Sequence, residues 1–147
     1  MEKPEDGERL IGVTQIWERL FLGSLYDAER LAKANPHGIG AVVSLSATGP
    51  CNTRPEITYV HLHTEDAQPI PVDQFTAIMR AISDNIMRGK VLLHCGSGIS
   101  RAPIMTAAYL HVAGYKNFDA ALEEIGALRP VVCPSAILAA SVKAHLR

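Results

Sequence analysis

The 147-residue sequence predicts an α/β fold: a central, mostly parallel twisted sheet of about five strands flanked by helices. Three observations lead there. Short apolar runs rich in β-branched residues, "IGAVVSLS" at 39–46 and "KVLLHC" at 90–95, read as strands buried on both faces. Segments with apolar residues at helical spacing lie between and after them. Clusters of Gly and Pro separate one segment from the next.

Residues 1–8 are expected to form a flexible tail and residues 9–147 a single domain, with 48% hydrophobic residues to fill one core. "LIGVTQIWERLFLGS" predicts two short strands with a turn near Trp17 and Glu18. Ser24 and Asp27 suit a helix start, Leu25, Ala28, Leu31 and Ala32 follow at helical spacing, and "NPHG" at 35–38 stops it. After the strand at 39–46, "ATGPCNTRPE" reads as a loop, "ITYVHLH" (57–63) as an alternating strand and "TEDAQPIP" as a second loop. Phe75, Ile78, Met79, Ile82 and Ile86 form one apolar helical face over 72–88, ended by Gly89. Three more helices are predicted over 101–113, about 117–128 with Asn117 as N-cap, and 134–146. Ligands of such a sheet sit beyond the carboxyl ends of its strands.

A formal net charge of -1 argues against nucleic acid or an anionic membrane as partner, since both demand a basic surface. The polar N-terminus "MEKPEDGER" lacks the apolar segment of a signal peptide, and no run reaches the length of a membrane span. A cytoplasmic monomer is expected. The odd set Cys51, Cys95 and Cys133 matches neither a disulfide framework nor paired zinc ligands, so reduced thiols are expected, with Cys133 in packing and Cys51 an ordinary free thiol.

The chemistry concentrates in "VLLHCGSGISRAP", residues 91–103. Cys95 ends a strand, and the small residues Gly96, Ser97, Gly98, Ile99 and Ser100 let the backbone curl so that successive N–H groups point into one concavity. A helix beginning near Arg101 adds its free N–H groups and the positive end of its dipole. Phosphate is the natural occupant, and the Arg101 guanidinium can grip two of its oxygens at once. The same field favours a thiolate at Cys95, placed beneath phosphorus as a nucleophile. Two other readings stand beside this one. A buried inert thiol is the plainer account of any single cysteine. A dinucleotide-binding turn would need a third glycine where Arg101 stands. A Walker phosphate loop is excluded by the missing Gly-Lys-Ser/Thr.

"HCGSGISR" resembles the His-Cys-x-x-Gly-x-x-Arg motif of cysteine-dependent protein phosphatases, and the dual-specificity group in particular. "IWERLFLGSLYDAERL", "GIGAVVSLS" and "ALEEIGALRPVVCPS" are similar to further stretches of that family, so the resemblance runs over about residues 12–146. It implies the cysteine-phosphatase fold, Cys95 as nucleophile, residues 96–100 with Arg101 as the phosphate site, and His94 orienting the cysteine from behind. It also implies a phosphorylated protein or peptide as substrate, without metal or cofactor. The uncharged loop disfavours inositol lipids, and the short chain resembles shallow-pocketed members that accept phosphotyrosine and phosphoserine or phosphothreonine. Phosphotyrosine is preferred because its better leaving group asks less of the acid.

Expelling an alkoxide or phenoxide needs a proton donor on a nearby loop. Asp66, after "ITYVHLH", resembles the family's general acid in position; adjacent Glu65 and Asp73 are the alternatives, Asp73 fitting better in the first turn of the next helix. His61, His63 and His111 have no ligand-like spacing. Three positions depart from the family pattern: Ala102 where Ser or Thr is usual, Ser135 where Asn follows the proline, and Ser44 where the strand has Asn. The first predicts slow breakdown of a phosphoenzyme, and the other two put local loop support in question. A phosphate-binding module without turnover and a sulfur-transfer enzyme are the competing functional classes.

Overall fold

The computed structural model describes residues 12–147. The tail expected at 1–8 and the start of the domain at 9–11 lie outside the described residues. Strands β1 (Thr14–Trp17) and β2 (Leu20–Gly23) form a hairpin, and α1 (Leu25–Arg30) leads to β3 (Ile39–Ser44) and β4 (Thr58–His61). Helix α2 (Val72–Ile86) returns the chain to β5 (Lys90–His94), and α3 (Arg101–Val112), α4 (Phe118–Leu128) and α5 (Ala136–His145) complete it. The sheet order is β1-β2-β5-β3-β4, with only the β1/β2 pair antiparallel. The expected five-stranded, mostly parallel sheet is therefore the one observed.

Alternation along the strands divides the core in two. Leu20, Leu22, Ala41, Val43, Val91 and Leu93 face the large cluster that also holds Ile78, Ile82, Ile104 and Met105 from α2 and α3. Phe21, Val42 and Leu92 face a smaller cluster with Ala28 and Leu31 of the α1 segment. Successive side chains point to opposite faces, so runs apolar at every position belong in a sheet covered on both sides. Helix α3 packs against α2, α4, α5 and the sheet, and every residue from Ala102 to Leu110 is buried.

Several elements are shorter than their patterns predict. Helix α1 stops at Arg30 rather than running on to Asn35, because the Asn35 side chain grips both the N–H and the carbonyl of Ile39 (2.9 Å each) and turns the chain into β3. β4 lies at the sheet's edge with one neighbour, so its pairing lapses at His61. The parallel register aligns Gly23, Ser44 and His94, and Ser44 with His61, so the segments following β2, β3, β4 and β5 leave the sheet at one edge. There the site residues gather.

Candidate active site

Cys95 follows β5 directly and is 1% exposed. Burial alone suits an inert thiol, but the backbone after it does not. The carbonyls of Cys95, Gly96, Gly98 and Ile99 are each taken by an outer partner: His94 Nδ1 (3.0 Å), Leu25 N (2.9 Å), Arg129 Nε (3.3 Å) and Cys133 N (2.9 Å). In a trans peptide the N–H points opposite to the C=O. The N–H groups of Gly96, Ser97, Ile99 and Ser100 are therefore turned away from these partners, towards the concave side, as an oxyanion requires.

Gly98 makes the curl possible. Its φ of +74° lies in the left-handed region, and a Cβ there would stand 2.6 Å from the Gly23 carbonyl oxygen and 2.9 Å from Arg129 Nη2. Across the loop, Arg101 Nη1 donates to the carbonyls of Thr64 (3.0 Å) and Leu45 (3.4 Å), while Nη2 lies beside Gly96. Two backbone acceptors thus aim the guanidinium into the loop's mouth.

His94 is fully buried beneath Cys95, and burial pushes its pKa down. Since a carbonyl only accepts, Nδ1 carries the proton donated to Cys95 O, and Nε2 accepts from the Ser44 hydroxyl (2.7 Å). Ser135 caps α5 by accepting from Leu138 N (3.2 Å), and its own N–H donates to Ser100 Oγ (3.0 Å). The two serines that differ from the family's asparagines both supply partners to the site.

The structure separates the three candidate acids. Asp66 lies against the phosphate loop, its Oδ1 accepting from Ser100 Oγ (2.8 Å) and from Ala67 N (2.9 Å), with Ala67 at a φ of +58°. Glu65 instead pairs with His63 at 3.6 Å, and Asp73 occupies the first turn of α2. Of the other histidines, His61 Nε2 bonds Ser46 O (2.7 Å) and His111 Nδ1 accepts from Phe118 N (3.2 Å). Ala102 is completely buried in the first turn of α3.

Cys133 corrects the sequence reading: it is exposed rather than packed. Its N–H is fixed by the Ile99 carbonyl, and the partly buried Val132 beside it makes the core contact instead. Cys51 is exposed, in a loop held to α1 by Glu29, whose carboxylate accepts from the N–H groups of Cys51 (2.8 Å) and Asn52 (2.9 Å). Those bonds hold the Glu29 pKa below its usual value, that from Cys51 foremost and opposed by burial.

Sequence reasoning missed Arg129. It is fully buried, donating through Nε to Gly98 O and through Nη1 to Gly12 O (2.7 Å) and Thr14 Oγ1 (2.9 Å), with Nη2 at 3.9 Å from the Asp27 carboxylate. Asp27 in turn closes the Ser24 capping box of α1. Arg129 therefore ties the phosphate loop to β1 and to the start of α1. It falls within the stretch "ALEEIGALRPVVCPS" that resembles the family, but an arginine before a proline carries no local sign that it is buried.

Comparison with known proteins agrees with this architecture. The family model described as "Dual specificity phosphatase, catalytic domain" matches residues 20–146. Dual specificity protein phosphatase 1 of Homo sapiens is 29% identical over 126 residues, 84% of this chain and 34% of the relative. Tyrosine-protein phosphatase yvh1 of Schizosaccharomyces pombe is 30% identical over 134 residues, 88% of this chain and 40% of the relative. The chain thus spans well under half the length of these two relatives. The crystal structure of DUSP15 superposes with a TM-score of 0.77 at 26% identity, covering 92% of this chain and 85% of that one. Since the family model covers most of its length, this chain belongs to the dual specificity phosphatase catalytic domain family.

Proposed function

We propose that this chain is a protein phosphatase that hydrolyses phosphotyrosine, and also phosphoserine or phosphothreonine, through a cysteinyl-phosphate intermediate. The observation that carries the reading is the loop in which four carbonyls are bonded outward above Cys95, with Arg101 held across its mouth. Phosphate bound there presents phosphorus to Cys95 Sγ, which attacks in line with the leaving oxygen. Fixed N–H groups and Arg101 stabilise charge on the equatorial oxygens. Asp66 protonates the departing oxygen, then as carboxylate takes a proton from the water that hydrolyses the S–P bond and frees the thiolate. A neutral His94 supports the Cys95 carbonyl from below. Ala102 offers no hydroxyl to the leaving thiolate, so the second step is slow; Ala102→Ser is expected to speed it about tenfold, the worth of one hydrogen bond to a charged group, in single-turnover dephosphorylation. An unchanged second step would show that the hydroxyl is not what limits it.

The near-neutral net charge of -1 supports phosphorylated proteins or peptides rather than nucleic acid or membrane as the partner. No helix among the described residues is long and apolar enough to cross a membrane. The reading takes residues 9–147 as one catalytic domain, monomeric and cytoplasmic, working without a cofactor. Turnover of p-nitrophenyl phosphate in the presence of a chelator, abolished in Cys95→Ser, together with turnover of phenyl phosphate, reduced about 10²–10⁴-fold in Asp66→Ala, is the test. Vanadate binding without turnover by the wild type would identify a phosphate-binding module instead. Phosphatase activity indifferent to Asp66 would point to the sulfur-transfer class.

A further inference from the structure

Four helices begin at a residue with a polar side chain able to cap. Ser24, Asn117 and Ser135 do so, accepting from the backbone N–H three residues on. Ser100, at the start of α3, makes no such bond. A serine in that position ordinarily spends its oxygen on the helix. Here the hydroxyl accepts from Ser135 N (3.0 Å) and donates to Asp66 Oδ1 (2.8 Å).

We propose that Ser100 is a positioning residue for proton transfer, holding the Asp66 carboxyl over the phosphate loop with Oδ2 free to carry the proton; this rests on Asp66 being the general acid. The direction of the bond follows from bookkeeping of protons alone. A hydroxyl has one hydrogen, and because its oxygen receives the Ser135 N–H, that hydrogen goes to the carboxyl. Oδ1 also receives the Ala67 N–H at 2.9 Å, so it is occupied by two donors. Oδ2 is left as the oxygen that delivers a proton to the leaving group and later accepts one from water. Asp66 is exposed and would otherwise sample many rotamers, whereas Ser100 is only 8% exposed and fixed in the loop that binds phosphate. One bond thus fixes the distance from acid to phosphorus. It also leaves the first N–H groups of α3 to the anion rather than to a cap.

The test is the dependence of rate on leaving group, which a merely structural role would not alter. In Ser100→Ala, kcat for phenyl phosphate, whose leaving group needs the proton, is expected to fall about 10–100-fold further than kcat for p-nitrophenyl phosphate, whose leaving group needs it far less. Ser100→Thr, which keeps a hydroxyl, is expected to restore the phenyl phosphate rate. In an Asp66→Ala background, Ser100→Ala is expected to add nothing. Equal losses on both substrates, or a further loss without Asp66, would overturn the inference. Should the alanine variant melt too low to assay, Ser100→Cys, a weaker donor of similar shape, is expected at intermediate leaving-group sensitivity, and a wild-type pattern there would overturn it too. If turnover survives in Cys95→Ser or is full in Asp66→Ala, the phosphatase reading itself falls. If both are impaired as expected and only the Ser100 pattern fails, the failure belongs to Ser100 alone.

Discussion

The loop from Cys95 to Ser100 and the loop from Leu62 to Pro71 meet at the same edge of the sheet, yet they are held by different means. The first is fastened through its backbone: four outward carbonyls, a left-handed Gly98 and the buried side chains of His94 and Arg129 fix its course. Past the Leu62 and Thr64 N–H groups, which donate to Ser44 O (2.8 Å) and Leu45 O (2.9 Å) at its start, the second is fastened through side chains at a few points. Gln74 Nε2 donates to His63 O (2.6 Å), Ser141 Oγ and His145 Nε2 bond Ile70, and Ser100 holds Asp66 between them. Residues 65 to 69 are exposed, and Ala67 takes a conformation that costs a residue with a Cβ about 1–2 kcal/mol. On the function proposed above, the part that binds the same group in every cycle is built from buried backbone. The group proposed to change protonation in every cycle hangs on hydroxyls and solvent.

The comparison breaks most visibly at Arg129. Arg129→Met removes the cation beside the buried Asp27 and the donors to Gly98 O and Gly12 O, and is expected to lower stability by about 3–5 kcal/mol in denaturant unfolding, with weaker vanadate binding. A loss under about 1 kcal/mol would mean that the glycine turn holds the phosphate loop unaided.

His94 gives an effect of intermediate size. Its folded-state pKa is depressed by burial, so below about pH 6.5 the unfolded chain takes up a proton that the folded chain refuses, and stability falls as pH falls. The slope is at most about 1.4 kcal/mol per pH unit, from about 6.5 down to the lowered folded value, and nothing is lost above it. Unfolding midpoints of wild type and His94→Gln between pH 7.5 and about 5 read it directly. Equal slopes would show that the ring ionises in place.

The smallest effect sharpens the contrast from the acid loop. Ala67→Gly relieves the left-handed conformation but adds freedom to the unfolded chain, so the net gain in stability is expected to stay below about 1 kcal/mol by thermal unfolding. A clear destabilisation would mean that the alanine methyl itself supports the loop.

Much of the phosphate loop was legible because its residues are contiguous and their chemistry is local. A strand end, a glycine where φ is positive and an arginine at a helix start leave few arrangements open. The face of α2 was legible for the same reason, since Phe75, Ile78, Met79 and Ile82 repeat at the period of the helix they pack with. Arg129 was not, because nothing beside it reveals that Gly98, Gly12, Thr14 and Asp27 converge on its guanidinium. Nor was Cys133, whose apolar neighbours suggested packing while its N–H was already committed to Ile99.

By itself, then, the sequence determined the sheet with helices on both faces and the curled anion loop after Cys95, since periodicity and turn chemistry act between near neighbours. For the proposed acid it favoured Asp66, through a family resemblance in position, over Glu65 and Asp73. Only the tertiary structure put Asp66 on the Ser100 hydroxyl, left Glu65 with His63 and buried Arg129 under the loop. The places of Asp66 and Arg129 depend on hydrogen bonds between residues some thirty or more positions apart, and such bonds exist only once the sheet has brought their segments to one edge.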